Sequence, residues 1–159
     1  MVARKIFTFL CLATIFIAGT SYGVERSAVV GEITGSATII RASGESDTAK
    51  KGAVLFQGDG LETEDFSSAV LLLMSGAEKD AEIELDAGSR VKLTELATGA
   101  SEEEKRTLLD LAVGEVLIRA KELQGEGSSF EVKTPTSIVA VRGTTFSVKV
   151  EAVGDPETE

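Results

Sequence analysis

Short segments in which apolar and charged residues alternate are the feature that most constrains the fold of this chain. Residues 82–86 place Ile83 and Leu85 on one side and three carboxylates on the other, and residues 90–94 and 144–150 repeat the pattern. A period of two is that of a β-strand with one buried face. Glycine-marked turns separate such segments at roughly the 8–12 residue spacing of all-β folds. The sequence therefore predicts one all-β domain, a twisted β-solenoid-like or sandwich-like array of short strands.

Residues 99–118 fit this pattern least well. Residues 101–104 have the spacing of a helix-capping box, and good helix formers follow them. The apolar run that begins at Leu108 leads directly to Gly114, which indicates a turn before a further strand. We predict an exposed charged loop at residues 99–106, with room for one helical turn, and then strands on either side of Gly114.

The first 23 residues have the order of features found in a secretory signal peptide. Arg4 and Lys5 precede an apolar run at residues 6–18, and small residues follow at 21–23. The run is shorter than the ~20 residues that a membrane-spanning helix needs, so a retained anchor is the weaker alternative. We predict a signal peptide at residues 1–23 and a periplasmic or extracellular location, with membrane attachment only if the signal is retained.

Charge and composition limit the function of the rest of the chain. With 26 acidic and 16 basic residues the net charge is −10, which disfavours nucleic acid as a partner. Residues 24–159 contain no cysteine, histidine or tryptophan, and the lack of thiolates and imidazoles excludes zinc sites built on them as well as histidine-dependent nucleophiles. No cofactor is predicted. Residues 24–151 are expected to form the domain, and residues 152–159 an acidic flexible tail.

Residues 130–148 contain the most distinctive combination of residues. Pro135 ends a strand, because proline cannot donate to a ladder of hydrogen bonds. An apolar run follows, and Gly143 is expected to break it as a bulge or kink before strict alternation resumes. The motif residues are Thr134, Pro135, Val141, Arg142, Gly143, Thr144 and Phe146.

Together with an upstream segment, this pattern resembles the FecR domain family. Residues 52–63, which include Gly58, Asp59 and Thr63, are similar to the family's G-x-x-L-x-x-G-D-x-L-x-T segment, and the resemblance extends over about residues 31–150. It implies an all-β, solenoid-like outer module of regulators that relay a signal from an outer-membrane receptor to a sigma factor. Only five residues precede the apolar run, so we expect the cytoplasmic anti-sigma segment of such regulators to be missing.

The function that we expect is an exported, non-catalytic module for signalling, or for binding a protein or another component of the envelope, with a protein partner in the cell envelope. A structural scaffold of an envelope complex is the first alternative. A hydrolase that uses an exposed carboxylate pair such as Glu82 and Glu84 is a second, weaker one. The acidic clusters at residues 62–65 and 102–104 match no calcium-binding loop, so no metal site is predicted.

Arg142 is the motif residue that most invites a functional role. A partly buried arginine between apolar strands needs a carboxylate partner, and a bidentate ion pair would supply one. We predict that Arg142 pairs with Asp59, or alternatively with Glu62, and that it stabilises the domain rather than binding a ligand.

Overall fold

The computed structural model describes residues 26–99, 101, 103–141, 143 and 145–151, and every regular element in them is a β-strand. The all-β, single-domain prediction is confirmed. The predicted signal peptide and acidic tail lie outside the described residues. The strands are β1 (Arg26–Thr34), β2 (Ala37–Ile40), β3 (Ser46–Thr48), β4 (Val54–Leu55), β5 (Gly60–Thr63), β6 (Ser68–Ser75), β7 (Glu78–Leu85), β8 (Arg90–Thr98), β9 (Lys105–Ala120), β10 (Ser129–Lys133), β11 (Ile138–Val141) and β12 (Thr145–Val150).

The strands form one 12-stranded sheet that curls into a half-barrel. β9 joins two halves of the sheet, because its first part pairs with β8 and its second part with β7. One half has the order β3-β2-β5-β8-β9-β10-β11, and the other β4-β1-β6-β7-β9-β12. The paired strands are antiparallel except for β9 with β10. The architecture is therefore nearer to the sandwich-like alternative than to a solenoid of parallel rungs.

β9 is a single long strand, so the predicted turn at Gly114 is wrong. Gly114 has φ 97°, and the register with β8 shifts just before it, between the partners of Arg90 and Val91. The buried positions change at the same place, from Leu109 and Leu111 to Val116 and Ile118. A bulge of this kind bends a strand without ending it. Gly114 therefore turns β9 from one half of the sheet into the other.

The core lies between the two halves and consists of aliphatic side chains. The alternation predicted for residues 82–86 is confirmed, since Ile83 and Leu85 are buried while Glu82 and Glu84 are partly exposed. Each such side chain contributes about 1.5–3 kcal/mol when it leaves water. The largest fully buried side chains are Val30, Ile39, Leu55, Leu61, Leu71, Leu73, Ile83, Leu85, Leu93, Leu109, Leu111 and Ile118.

The loop between β8 and β9 agrees in part with its prediction. Its described residues, at positions 99, 101, 103 and 104, form no helix, although the Glu104 N–H donates to the Ser101 carbonyl in a turn. β9 begins at Lys105 instead of after residue 106.

Candidate functional site

Asp59 is buried in the turn between β4 and β5, where three donors surround its carboxylate. The N–H groups of Phe56 and Ala42 donate at 3.1 and 2.9 Å, and Arg41 Nη1 lies 3.0 Å away. Burial alone would raise the pKa of Asp59, but these donors outweigh it and hold the pKa below its usual value. The neighbouring Gly58, at φ 94°, donates to the Leu93 carbonyl at 2.7 Å. Asp59 therefore stays ionised and ties this turn to β2.

Arg41 is the cation at this site. It also pairs with Asp47 at 3.0 Å and donates to the Val54 carbonyl at 2.9 Å. Hydrogen bonds to Asp47 and Asp59 raise the pKa of Arg41. Sequence reasoning missed this residue, although its place at the end of an alternating segment, beside a glycine turn, was a signal that could have found it.

The second carboxylate expected near Arg142 is also engaged elsewhere. Glu62 accepts from Arg90 Nε at 3.0 Å and from Arg90 Nη2 at 2.7 Å, a bidentate pair across β5 and β8. Arg142 and Thr144 lie outside the described residues. The pairing of Arg142 with a carboxylate thus stays a prediction, whereas Arg41 and Arg90 are the partners that the structure gives to Asp59 and Glu62.

Thr63 links three elements through its buried hydroxyl. Its Oγ1 donates to the Asp86 carbonyl at 2.6 Å and accepts from the Ser89 N–H at 3.0 Å. Ser89 Oγ in turn donates to the Glu115 carbonyl at 3.1 Å and accepts from the Glu115 N–H at 3.0 Å. These bonds join the end of β5, the turn before β8 and the bend of β9, so the Thr63 hydroxyl serves the fold.

Arg26 forms a buried network that the sequence analysis did not identify. Its Nη1 donates at 2.9 Å to both the Arg106 carbonyl and Thr107 Oγ1, and its Nη2 lies 3.3 Å from Asp80. Lys105 also pairs with Asp80. Burial lowers the pKa of Arg26, against the opposing effect of Asp80. The inward positions of Ala28 and Val30 put Arg26 on the same strand face, so the period-two pattern could have revealed it.

A cavity of about 370 Å³ borders this network. Its lining combines the ion-paired Lys121 and Glu78 with the apolar Phe130 and Leu123. Charges of both signs lie in it, and the three cations Arg26, Lys105 and Lys121 pair with carboxylates of the lining, so the lining favours no particular class of ligand.

The carboxylate pair considered for hydrolysis is bound to cations. Arg119 pairs with both Glu82 and Glu84, and Lys79 lies 2.9 Å from Glu82. Hydrogen bonding to Lys79, with a smaller effect of Arg119, lowers the pKa of Glu82. A glycosidase acid needs a raised pKa to hold its proton, which is the opposite of the shift at Glu82.

The described residues contain no group of three or more acidic, histidine or cysteine side chains placed to hold a metal ion.

The hairpin of β10 and β11 contains Thr134, Pro135 and Val141 of the downstream motif. β10 ends at Lys133, as the Thr134–Pro135 pair predicted. The Thr134 N–H donates to the Ser137 carbonyl at 2.8 Å, and its Oγ1 accepts from the Ser137 N–H at 3.0 Å. Thr134 therefore closes the turn around Pro135 and sets the register of the hairpin.

β11 is an edge strand with apolar side chains in solvent. Ile138 is 62% exposed and Val139 is 37% exposed, so both faces of the strand are open, while Val141 is buried. Within the described ranges, β11 pairs with β10 alone. Its outer backbone N–H and C=O groups thus have no strand partner there.

The root of the hairpin is anchored to the other half of the sheet. Gly143, at φ 57°, lies against the Glu122 backbone, where an added Cβ would be 2.6 Å from Cα. Here the chain crosses from β11 to β12, a larger change than the predicted bulge or kink. Phe146 is half-buried and packs edge-on against Phe130, with ring centroids 6.4 Å apart. The exposed part of β11 therefore projects from a fixed base.

The fold and this hairpin define an all-β domain with an open apolar edge. A family model described as FecR protein matches residues 72–158, more than half of the sequence, and the chain belongs to this family. The match contains the hairpin motif but begins after Gly58, Asp59 and Thr63. No curated protein and no solved structure matches the chain.

Family membership supports a signalling-related sensing role, and FecR domains are typically periplasmic. No helix in the described part of the chain is long and apolar enough to span a membrane.

Proposed function

We propose that this protein is an exported, non-catalytic module that binds a protein partner in the cell envelope through the outer edge of β11. The observation that carries the proposal is the exposure of Ile138 and Val139 on a strand whose outer edge no described residue pairs. An open edge with apolar side chains is a template for an additional strand. Proteins use such edges to bind extended segments of their partners.

The other edge strands have features that disfavour strand addition. β3 is three residues long and polar, and β4 is two residues long. β12 exposes Ser147 and Lys149 on its outward face. Short or charged edges are the usual protection against unwanted pairing. β4 is also apolar but has only two residues, whereas β11 has four residues and no charge, so β11 is the best candidate for a binding edge.

The binding mode follows from the geometry of a strand. A partner segment added to β11 would form main-chain hydrogen bonds with its outer edge, and apolar side chains of that segment would cover Ile138 on one face and Val139 on the other. Since the base of the hairpin is fixed by Phe130 and Phe146, this edge needs little ordering before it binds. In a signalling-related family, occupancy of the edge would report the presence of the partner.

Co-purification from envelope fractions tests the binding edge. We expect the tagged protein to retain one stoichiometric partner. The Ile138→Lys variant should retain at least about tenfold less of this partner, since a charge and a long side chain interrupt the apolar edge. Thr48→Lys is the matched control, because Thr48 is exposed on the edge strand β3. Retention by both variants would contradict the proposal, and recovery of a large assembly that all three proteins retain would favour a scaffold.

Cell fractionation tests export separately. We expect the mature protein outside the cytoplasm, with an N-terminus near residue 24. A cytoplasmic chain that still carries residues 1–23 would contradict export without bearing on the edge of β11.

A further inference from the structure

The turn between β5 and β6 displays an aromatic side chain in an unusual backbone conformation. Phe66 is 98% exposed and has φ 58°. Each of the other described residues with positive φ is a glycine. A positive φ is a genuine outlier for a bulky residue, and large apolar side chains normally gain stability by leaving water. Both the backbone conformation of Phe66 and the exposure of its side chain are therefore unfavourable in the isolated protein.

Neighbouring turns hold Phe66 in this position. Ser67 Oγ accepts from the Ser36 N–H at 3.0 Å, and the Glu64 N–H donates to the Ser36 carbonyl at 3.1 Å. The Glu64 carbonyl accepts from the Ser67 N–H at 3.2 Å and from the Gly88 N–H at 3.3 Å. Strained residues persist where the surrounding structure determines them, and they concentrate at functional positions. Phe66 is accordingly a preorganised side chain on a rigid base of three turns.

The surface around Phe66 is acidic. Glu64, Asp65 and Asp86 are exposed on the same joined turns, and none of them forms an ion pair with a described residue. Arg90, which begins β8 directly after the turn that contains Asp86, is engaged by Glu62. Three unneutralised carboxylates beside an aromatic ring disfavour anionic lipid and a second copy of this acidic chain. They complement a protein surface with basic residues.

We propose that Phe66 is the anchor of a second protein-binding surface, formed by Glu64, Asp65, Phe66 and Asp86, that inserts into an apolar pocket rimmed by lysine or arginine on the partner. Aromatic side chains that fill a pocket dominate the free energy of many interfaces. The surrounding charges act on association and specificity more than on affinity. This surface is separate from the edge of β11 and does not depend on the function proposed for that edge.

A photoreactive phenylalanine analogue in place of Phe66 tests the proposal in cells. We expect an adduct with a protein whose cross-linked peptide contains apolar residues together with lysine or arginine. The combined Glu64→Lys and Asp65→Lys changes, which leave the aromatic group in place, should lower the yield several-fold. Raising salt from about 0.1 M to about 1 M in envelope extracts should also lower it, because the Debye length falls from about 10 Å to about 3 Å. The same analogue at exposed Thr48 is the control.

Four results would overturn the proposal: no adduct at position 66, an adduct with lipid alone, an adduct with a second copy alone, or a yield that neither charge reversal nor salt changes. Thermal unfolding tests the strain independently of any partner. Phe66→Gly should melt about 2–4 °C above Phe66→Ala, because glycine removes the penalty for positive φ. Equal melting temperatures would show that Phe66 is not held under strain, and would remove the reason to consider it preorganised.

Discussion

The turn at Asp59 and the hairpin of β10 and β11 belong to the same family-like pattern, but their side chains face opposite environments. At the turn, the Asp59 carboxylate and the Thr63 hydroxyl are buried and hydrogen-bonded to neighbouring groups. On the hairpin, Ile138 and Val139 lie in solvent on an open edge. A distinctive residue in a motif can therefore serve either the fold or a partner, and burial together with hydrogen bonding distinguishes the two roles.

Gly114→Ala should have the largest effect on stability, because Gly114 packs against Ser89, which is bonded to Thr63. Gly114 has φ 97°, and an added Cβ would collide with Ser89, including its backbone. Strain and overpacking together predict a loss of about 3 kcal/mol in the free energy of unfolding, measured by urea denaturation. Gly44→Ala is the matched control, since Gly44 has φ 92° but open space around it, and should lose about 1 kcal/mol. Equal losses would show that the bend of β9 is not tightly packed.

Asp59→Ala should destabilise the protein by about 2–3 kcal/mol, because it leaves the N–H groups of Phe56 and Ala42 without their side-chain acceptor and removes the buried one of the two carboxylates that pair with Arg41. Asp47→Ala removes the other, exposed carboxylate of Arg41 and should cost less than about 0.5 kcal/mol. Comparison of the two variants by thermal or urea unfolding isolates the buried carboxylate. Similar small losses in both would mean that the Asp59 turn is not a structural anchor.

Acid should reduce the contribution of Asp59 in a defined pH range. The pKa of Asp59 is lower in the folded protein than in the unfolded chain, where it is about 3.9. Its stabilisation is therefore complete above the unfolded pKa and is lost as the pH falls through the folded pKa. We expect the difference in unfolding free energy between wild type and Asp59→Asn to be constant from pH 7 to about pH 5 and to shrink below about pH 4. A difference that grows on acidification would contradict the ion pair.

Ile138→Lys should change stability least, by less than about 0.5 kcal/mol, because Ile138 is mostly in solvent. Val141→Lys, three residues along the same strand, places a charge at a buried position and should cost about 2–3 kcal/mol. Urea unfolding of the two variants measures how sharply β11 changes from exposed edge to anchored base. A large loss in Ile138→Lys would assign Ile138 to the core of the domain.

Local patterns were sufficient for much of the fold. Alternation identified the strand that contains Ile83 and Leu85, and proline chemistry correctly ended β10 before Thr134. Gly114 was misassigned because glycine is typical both of turns and of bulges inside long strands. The choice between them depends on the partner strands, which a local pattern does not contain.

The candidate site was less predictable because its interactions join distant parts of the chain. The Arg41–Asp59 pair depends on how β2 and β5 align, and the Arg26–Asp80 pair on the placement of β1 and β7 on either side of β6. The apolar run that contains Ile138 and Val139 did not indicate its exposure, which follows from the edge position of β11. Edge position depends on the order of the strands in the sheet, which the hydrophobicity of a segment does not predict.

Hydrogen exchange with and without the co-purified partner shows whether the partner adds a strand to β11. The amides of β11 that do not bond to β10 should exchange fast in the free protein and at least about tenfold more slowly in the complex, because a partner strand would occupy them. The amides of residues 59–63, already bonded inside the domain, should change little. Protection of residues 59–63 while β11 still exchanges fast would contradict the assignment of these two regions.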